Sequence, residues 1–293
     1  MKMKRLITLI AVLMASASFA SAQIFMTESS AMHPKAPSVP SSVEFAGECI
    51  DLTDPDRYER MDRELLTFTY MHTNTTLILK RAPKYFPIIE PILKKYGIPD
   101  DLKYLMVIES NLDPKAVSGA GAAGLWQFMK TAGKEYSLEV REGVDERFNI
   151  EKETVAACKY LKNAYAKFGD WMTVAASYNA GMGGISKRLE KQHQSCALDL
   201  WTVEETARYM YRILAAKMLF ESPESFGFNI PYSEKYKYRE PSDVVTVDTS
   251  IESLVDFAEE HGTTYAKLKA ANLWLRDDKL DNPAGKAYKI IIP

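Results

Sequence analysis

The sequence has few of the residues that build metal sites and disulfide frameworks. Its 293 residues include three cysteines and four histidines, and the histidines are scattered without metal-ligand spacing or an H-E-x-x-H pattern. We therefore expect neither a metal nor another cofactor. An odd number of cysteines leaves any pairing among Cys49, Cys158 and Cys196 open. Cys158 lies in an apolar helical stretch and is expected to be a small core residue.

An excess of charge of one sign is also lacking. The 37 Lys and Arg residues nearly balance the 39 Asp and Glu residues, which gives a formal net charge of -2. Proteins that bind nucleic acid by its phosphates need a basic stripe or patch. We therefore expect no nucleic-acid partner, and an uncharged or weakly charged polymer such as a polysaccharide fits the composition better.

Long hydrophobic runs are missing except for a short one near the first residue. Lys2, Lys4 and Arg5 precede an apolar run over residues 6–15, and small residues follow as far as Ala22. A membrane-spanning helix needs about 20 apolar residues, whereas this pattern is typical of a cleaved secretory signal. We expect cleavage after Ala22, with a buried helix as the alternative. The absence of a cysteine at the cleavage point gives no sign of a lipid anchor.

The rest of the chain divides into a linker, a helical domain and a terminal unit. Residues 23–42 are rich in Ser, Ala and Pro, which is typical of a linker. Helical periodicity then dominates, and strand-like alternation is scarce, so we expect a helical domain over residues 43–230. The predicted helices cover residues 54–68, 73–81, 85–96, 99–110, 130–136, 150–168, 171–178 and 203–221.

The pattern changes towards the end of the sequence. Residues 244–247 and 288–292 are rich in Val and Ile and predict two short strands. Between them, residues 251–261 and 264–272 predict two amphipathic helices. The order β-α-α-β indicates a small second domain over residues 243–293.

A carboxylate interrupts the apolar face of the helix predicted at 99–110. Leu102, Leu105 and Met106 form a helical stripe that continues with Glu109. Removal from water disfavours the charged carboxylate and raises its pKa. A raised pKa suits a general acid that must hold a proton near neutral pH. From this segment alone, a partly buried Glu that pairs with Arg or caps a helix is an equal alternative.

Two glycine-rich segments follow this helix. Residues 118–128 read S-G-A-G-A-A-G-L-W-Q-F, and small residues allow a ligand to approach the backbone closely. We expect Trp126 and Phe128 to offer apolar faces to sugar rings and Gln127 to bind hydroxyls or amides; the alternative places Trp126 in the core. Residues 176–184, A-S-Y-N-A-G-M-G-G, end a predicted helix in a polar turn.

Together these segments resemble the catalytic-domain motifs of the lytic transglycosylases. The resemblance rests on E-S at 109–110, on S-G-A-G and G-L-W-Q-F within 118–128, and on Y-N-A-G at 178–181. E-T-A-R-Y at 205–209 resembles the closing helix motif of the family. The match covers about residues 85–220, and the helices before it and the terminal unit after it resemble the membrane-bound type D. The resemblance implies a mainly α fold, with a lysozyme-like helical domain followed by the small β-α-α-β domain.

The resemblance also implies roles for individual residues. Glu109 stands where the family has its catalytic acid/base. The residues implied to line the glycan groove or border the acid are Ser118, Gln127, Met129, Tyr178 and Asn179. Glu205 and Tyr209 are expected near the site, where they would join helices rather than touch substrate.

The mechanism implied by the family needs a single carboxylic acid. Most glycosidases use two, but the nearest other acid, Asp113, precedes Pro114 and is typical of a turn. In the family, the acid protonates the oxygen of the β-1,4 bond between N-acetylmuramic acid and N-acetylglucosamine in peptidoglycan. The N-acetyl group supports the developing cation, and the acid then acts as base towards the 6-hydroxyl, which closes a 1,6-anhydro ring.

Two other functions stay open from the sequence. A goose-type lysozyme-like hydrolase would need a second, suitably placed carboxylate, and an inactive peptidoglycan-binding scaffold would use the groove without chemistry. In either case the resemblance implies a location in the periplasm and peptidoglycan glycan strands as the partner, and a monomer is the default expectation.

Residues 243–293 resemble a LysM module, a small domain that binds N-acetylglucosamine chains. The usual G-D-T before the first helix is replaced here by V-D-T-S at 247–250. We therefore expect a LysM-like fold more firmly than sugar affinity. If affinity is retained, this unit would hold the protein on the cell wall, and otherwise it is a structural cap.

Overall fold

The computed structural model describes residues 36–293. The expected signal peptide, residues 1–22, and most of the expected linker lie outside the described residues. Along the described part, no helix combines the length and the apolar character that a membrane span would need. Cys49, Cys158 and Cys196 are free thiols, and Cys158 is fully buried in the core, as the sequence predicted.

Helices make up most of the described chain, which confirms the mainly α class. Asp54 caps the first helix by accepting the N–H groups of Asp56 and Arg57, and Pro55 occupies the first turn, where its missing N–H costs nothing. The helices before the terminal unit are α1 (Pro55–Tyr70), α2 (His72–Tyr96), α3 (Lys103–Ser110), α4 (Lys130–Glu135), α5 (Ile150–Phe168), α6 (Trp171–Ala180), α7 (Met182–Gln192) and α8 (Glu204–Glu221).

Helix α2 is continuous where the sequence predicted a break. It contains Pro83, Pro87 and Pro91, each of which removes a backbone donor and would normally end or kink a helix. These prolines lie beside a stripe of buried side chains, not within it. The stripe consists of Ile78, Ala82, Tyr85, Ile89 and Leu93. Packing of this stripe against α5 and α3 keeps the helix in one piece.

Helix α8 lies in the middle of the helical domain, with α1, α3 and α6 packed against it. Its buried residues occupy nearly every direction around the helix axis, which is typical of a central helix. Helix α7 begins at Met182, directly after the capping residue Gly181, where the sequence predicted only a turn. The adjacent Gly183 and Gly184 lowered the predicted helicity, yet Ile185 is fully buried and holds the helix to the core.

Two hairpins were missed by the sequence prediction. Strands β1 (Ser42–Phe45) and β2 (Glu48–Asp51) pair through a turn at Ala46 and Gly47, both with positive φ. Strands β3 (Val140–Arg141) and β4 (Val144–Asp145) form the second hairpin. Strands of two to four residues carry too few alternations to be recognised by period.

The terminal unit has the predicted order. Strands β5 (Asp243–Val247) and β6 (Tyr288–Ile292) are antiparallel, and helices α9 (Leu254–Glu260) and α10 (Tyr265–Ala271) lie between them in sequence. Its apolar core, however, also includes residues of the helical domain. Ala123, Val144 and Phe148 of the helical domain belong to the same buried cluster as the residues of this unit.

Candidate functional site

Glu109 occupies the last turn of α3. Leu102, Leu105 and Met106 are fully buried along the predicted stripe, and Glu109 is partly buried at its end. The helix stops directly afterwards because Asn111 and Leu112 both adopt left-handed backbone conformations, with φ of 51° and 55°. This stop places the carboxyl where the core meets the surface.

The carboxyl of Glu109 is held by helix α8. The hydroxyl of Tyr209 donates a hydrogen bond of 2.6 Å to Oε1 of Glu109. Burial raises the pKa of Glu109 to about 7, while this bond and the positive charge of Arg212 lower it and the negative charge of Glu205 raises it further. Glu109 is therefore able to hold a proton at neutral pH and to lose it readily.

The register of α8 is fixed by a buried acid that the sequence interpretation missed. Glu64 on α1 is fully buried and accepts hydrogen bonds from Nε and Nη2 of Arg208 at 2.7 and 3.2 Å. Arg212 lies 3.9 Å from the same carboxylate. These contacts anchor α8 at the point that presents Tyr209 to Glu109. The available sequence signal was Glu64 itself, a carboxylate beside Leu65 on the buried face of α1.

The glycine-rich segment 118–128 forms a tight loop. Gly124 has φ of 84°, and a Cβ there would lie 1.8 Å from the backbone oxygen of Arg147. Gln127 also has a positive φ, 50°, and its Nε2 donates to the backbone oxygens of Ala116 and Gly124 at 3.2 and 2.8 Å. The Gln127 amide nitrogen is thus used within the loop.

The expectation that Trp126 and Phe128 offer faces to sugar rings is wrong. Both side chains lie in the core, 0% and 4% exposed. The indole Nε1 of Trp126 donates to Oγ1 of Thr154 at 3.0 Å. Trp126 and Phe128 follow a run of small residues, but burial of their large apolar side chains is favourable. The alternative, a tryptophan in the core, is therefore correct.

Tyr178 and Asn179 end α6 beside the acid. The Tyr178 hydroxyl donates to the backbone oxygen of Trp126 at 2.8 Å, which ties α6 to the loop. Burial raises the pKa of Tyr178 well above its usual value, and the nearby charge of Glu109 adds to that rise. Asn179 donates to Oε1 of Glu205 at 3.3 Å and accepts from Thr206 at 2.9 Å.

The structure brings most of the predicted site residues into one network, but not all. Glu109, Tyr178, Asn179, Glu205 and Tyr209 are linked by the bonds and charges described above. The remaining members of the predicted set are Ser118 and Met129, which are exposed, and Gln127, which is partly buried. The hydroxyl of Ser118 accepts the N–H of Ala122 at 3.0 Å, within its own turn.

Glu153 is a second buried acid that the sequence interpretation missed. It is fully buried on α5, and its Oε2 accepts the N–H of Trp126 at 3.1 Å. Its Oε1 has no hydrogen-bond partner among the described residues. Burial raises the pKa of Glu153 well above its usual value, and its carboxyl supports the loop from beneath.

One other acid, Asp113, and the search for a metal site complete the survey of the described chain. Asp113 accepts the N–H of Lys115 at 3.0 Å and lies 3.5 Å from Arg81, as a turn residue would. Over residues 36–293, no three His, Cys, Asp or Glu side chains come together in a way that could hold a metal ion.

Comparisons with known proteins agree with the motifs. Residues 86–197 match the family model of the transglycosylase SLT domain, and residues 243–293 match that of the soluble lytic transglycosylase C-terminal LysM-like domain. Membrane-bound lytic murein transglycosylase D of Escherichia coli K12 is 27% identical over 238 residues, covering 80% of this chain and 51% of that protein. Membrane-bound lytic murein transglycosylase C of Yersinia enterocolitica is 34% identical over 121 residues, covering 36% and 34%.

Solved structures give weaker matches. The 70 kDa soluble lytic transglycosylase of Escherichia coli aligns with a TM-score of 0.41 and 20% identity, covering 53% of this chain and 27% of that one. An inactive variant of the lytic transglycosylase Slt of Pseudomonas aeruginosa aligns with a TM-score of 0.40 and 20% identity, covering 53% and 26%.

The chain spans about half the length of the type D relative, since the match covers 51% of that protein. The two domain matches follow one another along the chain in the same order as the helical domain and the β-α-α-β unit of the structure. The motifs at 109–110, 118–128 and 178–181 lie in the first of them, and E-T-A-R-Y at 205–209 lies just beyond its end. The chain therefore matches a transglycosylase SLT domain followed by a LysM-like domain, and it is similar to the lytic transglycosylases in both parts.

Proposed function

We propose that this protein cleaves the glycan strands of peptidoglycan without consuming water, with Glu109 as its single acid/base. The observation that carries the proposal is the state of that carboxyl: its pKa is raised to about 7, and Tyr209 holds one of its oxygens. An acid with a pKa near the working pH serves equally well in donating and in accepting a proton.

The proposed reaction proceeds in two steps at one carboxyl. Neutral Glu109 donates its proton to the oxygen of the β-1,4 bond between N-acetylmuramic acid and N-acetylglucosamine, and the bond from that oxygen to C1 breaks. The N-acetyl group of the muramic acid stabilises the positive charge at C1. The Glu109 carboxylate then takes the proton of the 6-hydroxyl of the same sugar, and O6 bonds to C1 to form the 1,6-anhydro ring. The two products together have the composition of the substrate.

Tyr209 has a specific part in this cycle. Its hydrogen bond favours the carboxylate over the neutral acid, so it stabilises the state of Glu109 that exists between the two proton transfers. Tyr178 and Asn179 border the reacting sugar, and Ser118, Gln127 and Met129 line the groove. Because Gln127 uses its amide nitrogen within the loop, its side-chain oxygen is the group offered to the glycan.

A hydrolase is the second candidate, and one observation favours it. Glu205 is an exposed carboxylate whose negative charge acts on Glu109, and it is bonded to Asn179. A second carboxylate of this kind activates water in inverting glycosidases. In that reading, Glu109 would still donate the proton, but water would replace the 6-hydroxyl as nucleophile.

The products of digestion separate these functions. Purified peptidoglycan sacculi are digested with the wild-type protein, with Glu109→Gln and with Glu190→Gln, which changes an exposed carboxylate on α7. We expect muropeptides ending in 1,6-anhydro-N-acetylmuramic acid from the wild type and the control, and a loss of about 10²–10⁴-fold in rate with Glu109→Gln. Products one water heavier, with reducing ends, would establish the hydrolase. Binding to sacculi without fragments would establish a scaffold.

The proposal extends to where the protein acts and how it is organised. Residues 1–22 would direct export to the periplasm, and residues 23–42 would link the mature amino terminus to the domain over 43–230. The protein would act there as a monomer, and the LysM-like unit over 243–293 would contribute to binding the cell wall. Fractionation of cells, with the mature amino terminus determined by mass spectrometry, tests the first of these statements.

A further inference from the structure

The terminal unit is joined to the helical domain through the β3–β4 hairpin. The N–H of Asp145 donates to the oxygen of Trp274 at 2.9 Å, and the N–H of Arg276 donates to the oxygen of Gly143 at 2.9 Å. Between these bonds, Val144 pairs with Leu275 as an isolated β-bridge, and both side chains are buried. The hairpin therefore forms backbone bonds with the terminal unit as well as within itself.

Polar side chains surround this contact. The Tyr288 hydroxyl contacts both oxygens of Glu139 at 2.9 Å, and Lys286 donates to Glu146 at 3.0 Å. The guanidinium of Arg276 lies over the ring of Phe148, 4.3 Å from its centroid. Because strands of two residues have little stability of their own, these contacts fix the shape of the hairpin.

Two residues beyond the hairpin, Arg147 connects it to the glycine-rich loop. Its Nε and Nη2 donate to the two oxygens of Asp145 at 3.0 and 2.7 Å. Its Nη1 donates to the backbone oxygens of Gly121 and Phe128 at 2.8 and 3.0 Å. A single guanidinium, oriented by Asp145, thus holds both ends of residues 121–128.

The middle of the same loop packs against the backbone of Arg147 itself. Gly124 approaches the Arg147 oxygen so closely that no side chain fits between them. The N–H of Trp126 is held by Glu153. Gln127 follows directly, so its place in the groove depends on where Arg147 and its neighbours hold the loop.

We propose that Arg147 is a positioning residue, and that docking of the terminal unit on the β3–β4 hairpin sets its position and so preorganises the loop that carries Gln127. The inference rests on the proposed function for the role of that loop in turnover. The terminal unit then acts on catalysis itself, in addition to any attachment to the wall. Displacing a substrate-positioning group by about 1 Å costs on the order of 100-fold in rate.

Two variants of the full-length protein test the path of contacts that runs from the terminal unit through the hairpin and Arg147 to the loop. One variant changes the end at the loop, and the other changes the end at the terminal unit. Arg147→Lys keeps the charge but loses the planar fork that holds Asp145 and the loop together. Lys286→Glu places a third carboxylate beside Glu139 and Glu146 and weakens docking. Lys267→Glu makes the same charge change at an exposed position on α10 and is the matched control.

The first readout is turnover of sacculi, with kcat and KM measured separately. We expect kcat to fall at least about tenfold in Arg147→Lys and Lys286→Glu, with the pH limb governed by Glu109 unchanged and Lys267→Glu close to wild type. Because both variants act on one path, the double variant should lose much less than the product of the single losses. Full kcat in Lys286→Glu, or independent losses in the double variant, would overturn the inference.

The second readout does not depend on activity. Hydrogen–deuterium exchange of peptides covering residues 121–128 should be faster in both variants than in the wild type and the control, while α5 and α8 stay protected. Unchanged exchange in this loop would overturn the inference even if anhydro products confirm the proposed function. Conversely, if the wild type cleaves no glycan but the loop exchange responds as expected, the proposed function is wrong. The proposed effect of the terminal unit on the loop is then still supported.

Discussion

Tyr209 and Glu109 are joined by a 2.6 Å hydrogen bond between the phenol oxygen and Oε1. The two residues come from helices α8 and α3, and burial of the pair acts on the carboxyl in the opposite direction to the bond. Burial favours the neutral acid, whereas the phenol favours the carboxylate. The balance leaves the pKa of Glu109 at about 7, where both protonation states are populated near neutral pH.

Turnover of the wild type should fall as the pH rises through about 7, because the first step requires neutral Glu109. Replacing Tyr209 by Phe removes a bond that lowers the pKa, so the falling limb should move to higher pH by about one unit. The measurement is the initial rate of muropeptide release from sacculi between pH 5 and 9. Tyr211→Phe, at a buried position on the same helix, is the control and should leave the limb in place. If the falling limb of the pH profile does not move in Tyr209→Phe, Tyr209 does not lower the pKa of the group that controls the rate.

The same carboxyl should make stability depend on pH. The folded-state pKa of about 7 lies above the unfolded value of 4.5, so the native state binds the extra proton between these values. The free energy of unfolding therefore decreases as pH rises from about 4.5 to 7. Glu109→Gln lacks this loss and should be more stable than the wild type by about 1–2 kcal/mol at pH 8, with little difference at pH 4.5. Urea unfolding at the two pH values measures it, and an equal difference at both would argue against a raised pKa.

Glu205→Gln tests whether Glu205 acts on Glu109 only through its charge or is itself a second catalytic group. Glu205 raises the pKa of Glu109 by its charge, so its removal should move the falling pH limb slightly downward. With a single acid/base, kcat at pH 6 should stay within about threefold of wild type, and the products should still carry anhydro ends. Mass spectrometry of the digest checks the ends. A loss of about 100-fold or more would instead make Glu205 a catalytic base.

Gly124→Ala should strongly destabilise the protein. Its φ is 84°, and the new Cβ would lie 1.8 Å from the backbone oxygen of Arg147, so backbone must move. We expect a loss of about 3 kcal/mol or more in the free energy of unfolding. Gly119→Ala, five residues earlier where a Cβ meets nothing within 4 Å, should change stability by less than about 0.5 kcal/mol. Equal effects of the two substitutions, by urea unfolding, would show that the loop relaxes easily.

The sequence predicted those parts of the molecule that depend on period and on chemical type. Glu109 was singled out because a carboxylate stands in an apolar stripe, and only the family resemblance implied its role as the acid. The helices and the β-α-α-β order followed from spacing. The continuous helix α2 was not found because tertiary packing overrides the local effect of Pro83. The core position of Trp126 was not found because small neighbours indicate close ligand approach and tight packing equally well.

The supporting residues were hidden for a different reason. Glu64, Arg147 and Glu153 lie far from Glu109 in sequence, and each looks like an ordinary charged residue of an amphipathic helix or turn. Their roles come from burial and from bonds to backbone atoms of other segments. Such bonds follow only from the packed arrangement, which a single sequence does not reveal.

The shared cluster of Ala123, Val144 and Phe148 with the terminal unit bears on the order in which the protein is made. Synthesis proceeds from the amino terminus, and early segments fold as they emerge. The β3–β4 hairpin nevertheless has to wait for more than a hundred later residues before Leu275 covers Val144. Strand β6 pairs with β5 only after that. A chain that stops before β6 would therefore have a helical domain whose glycine-rich loop lacks its outer support, so assembly of the site depends on a segment far from it in sequence.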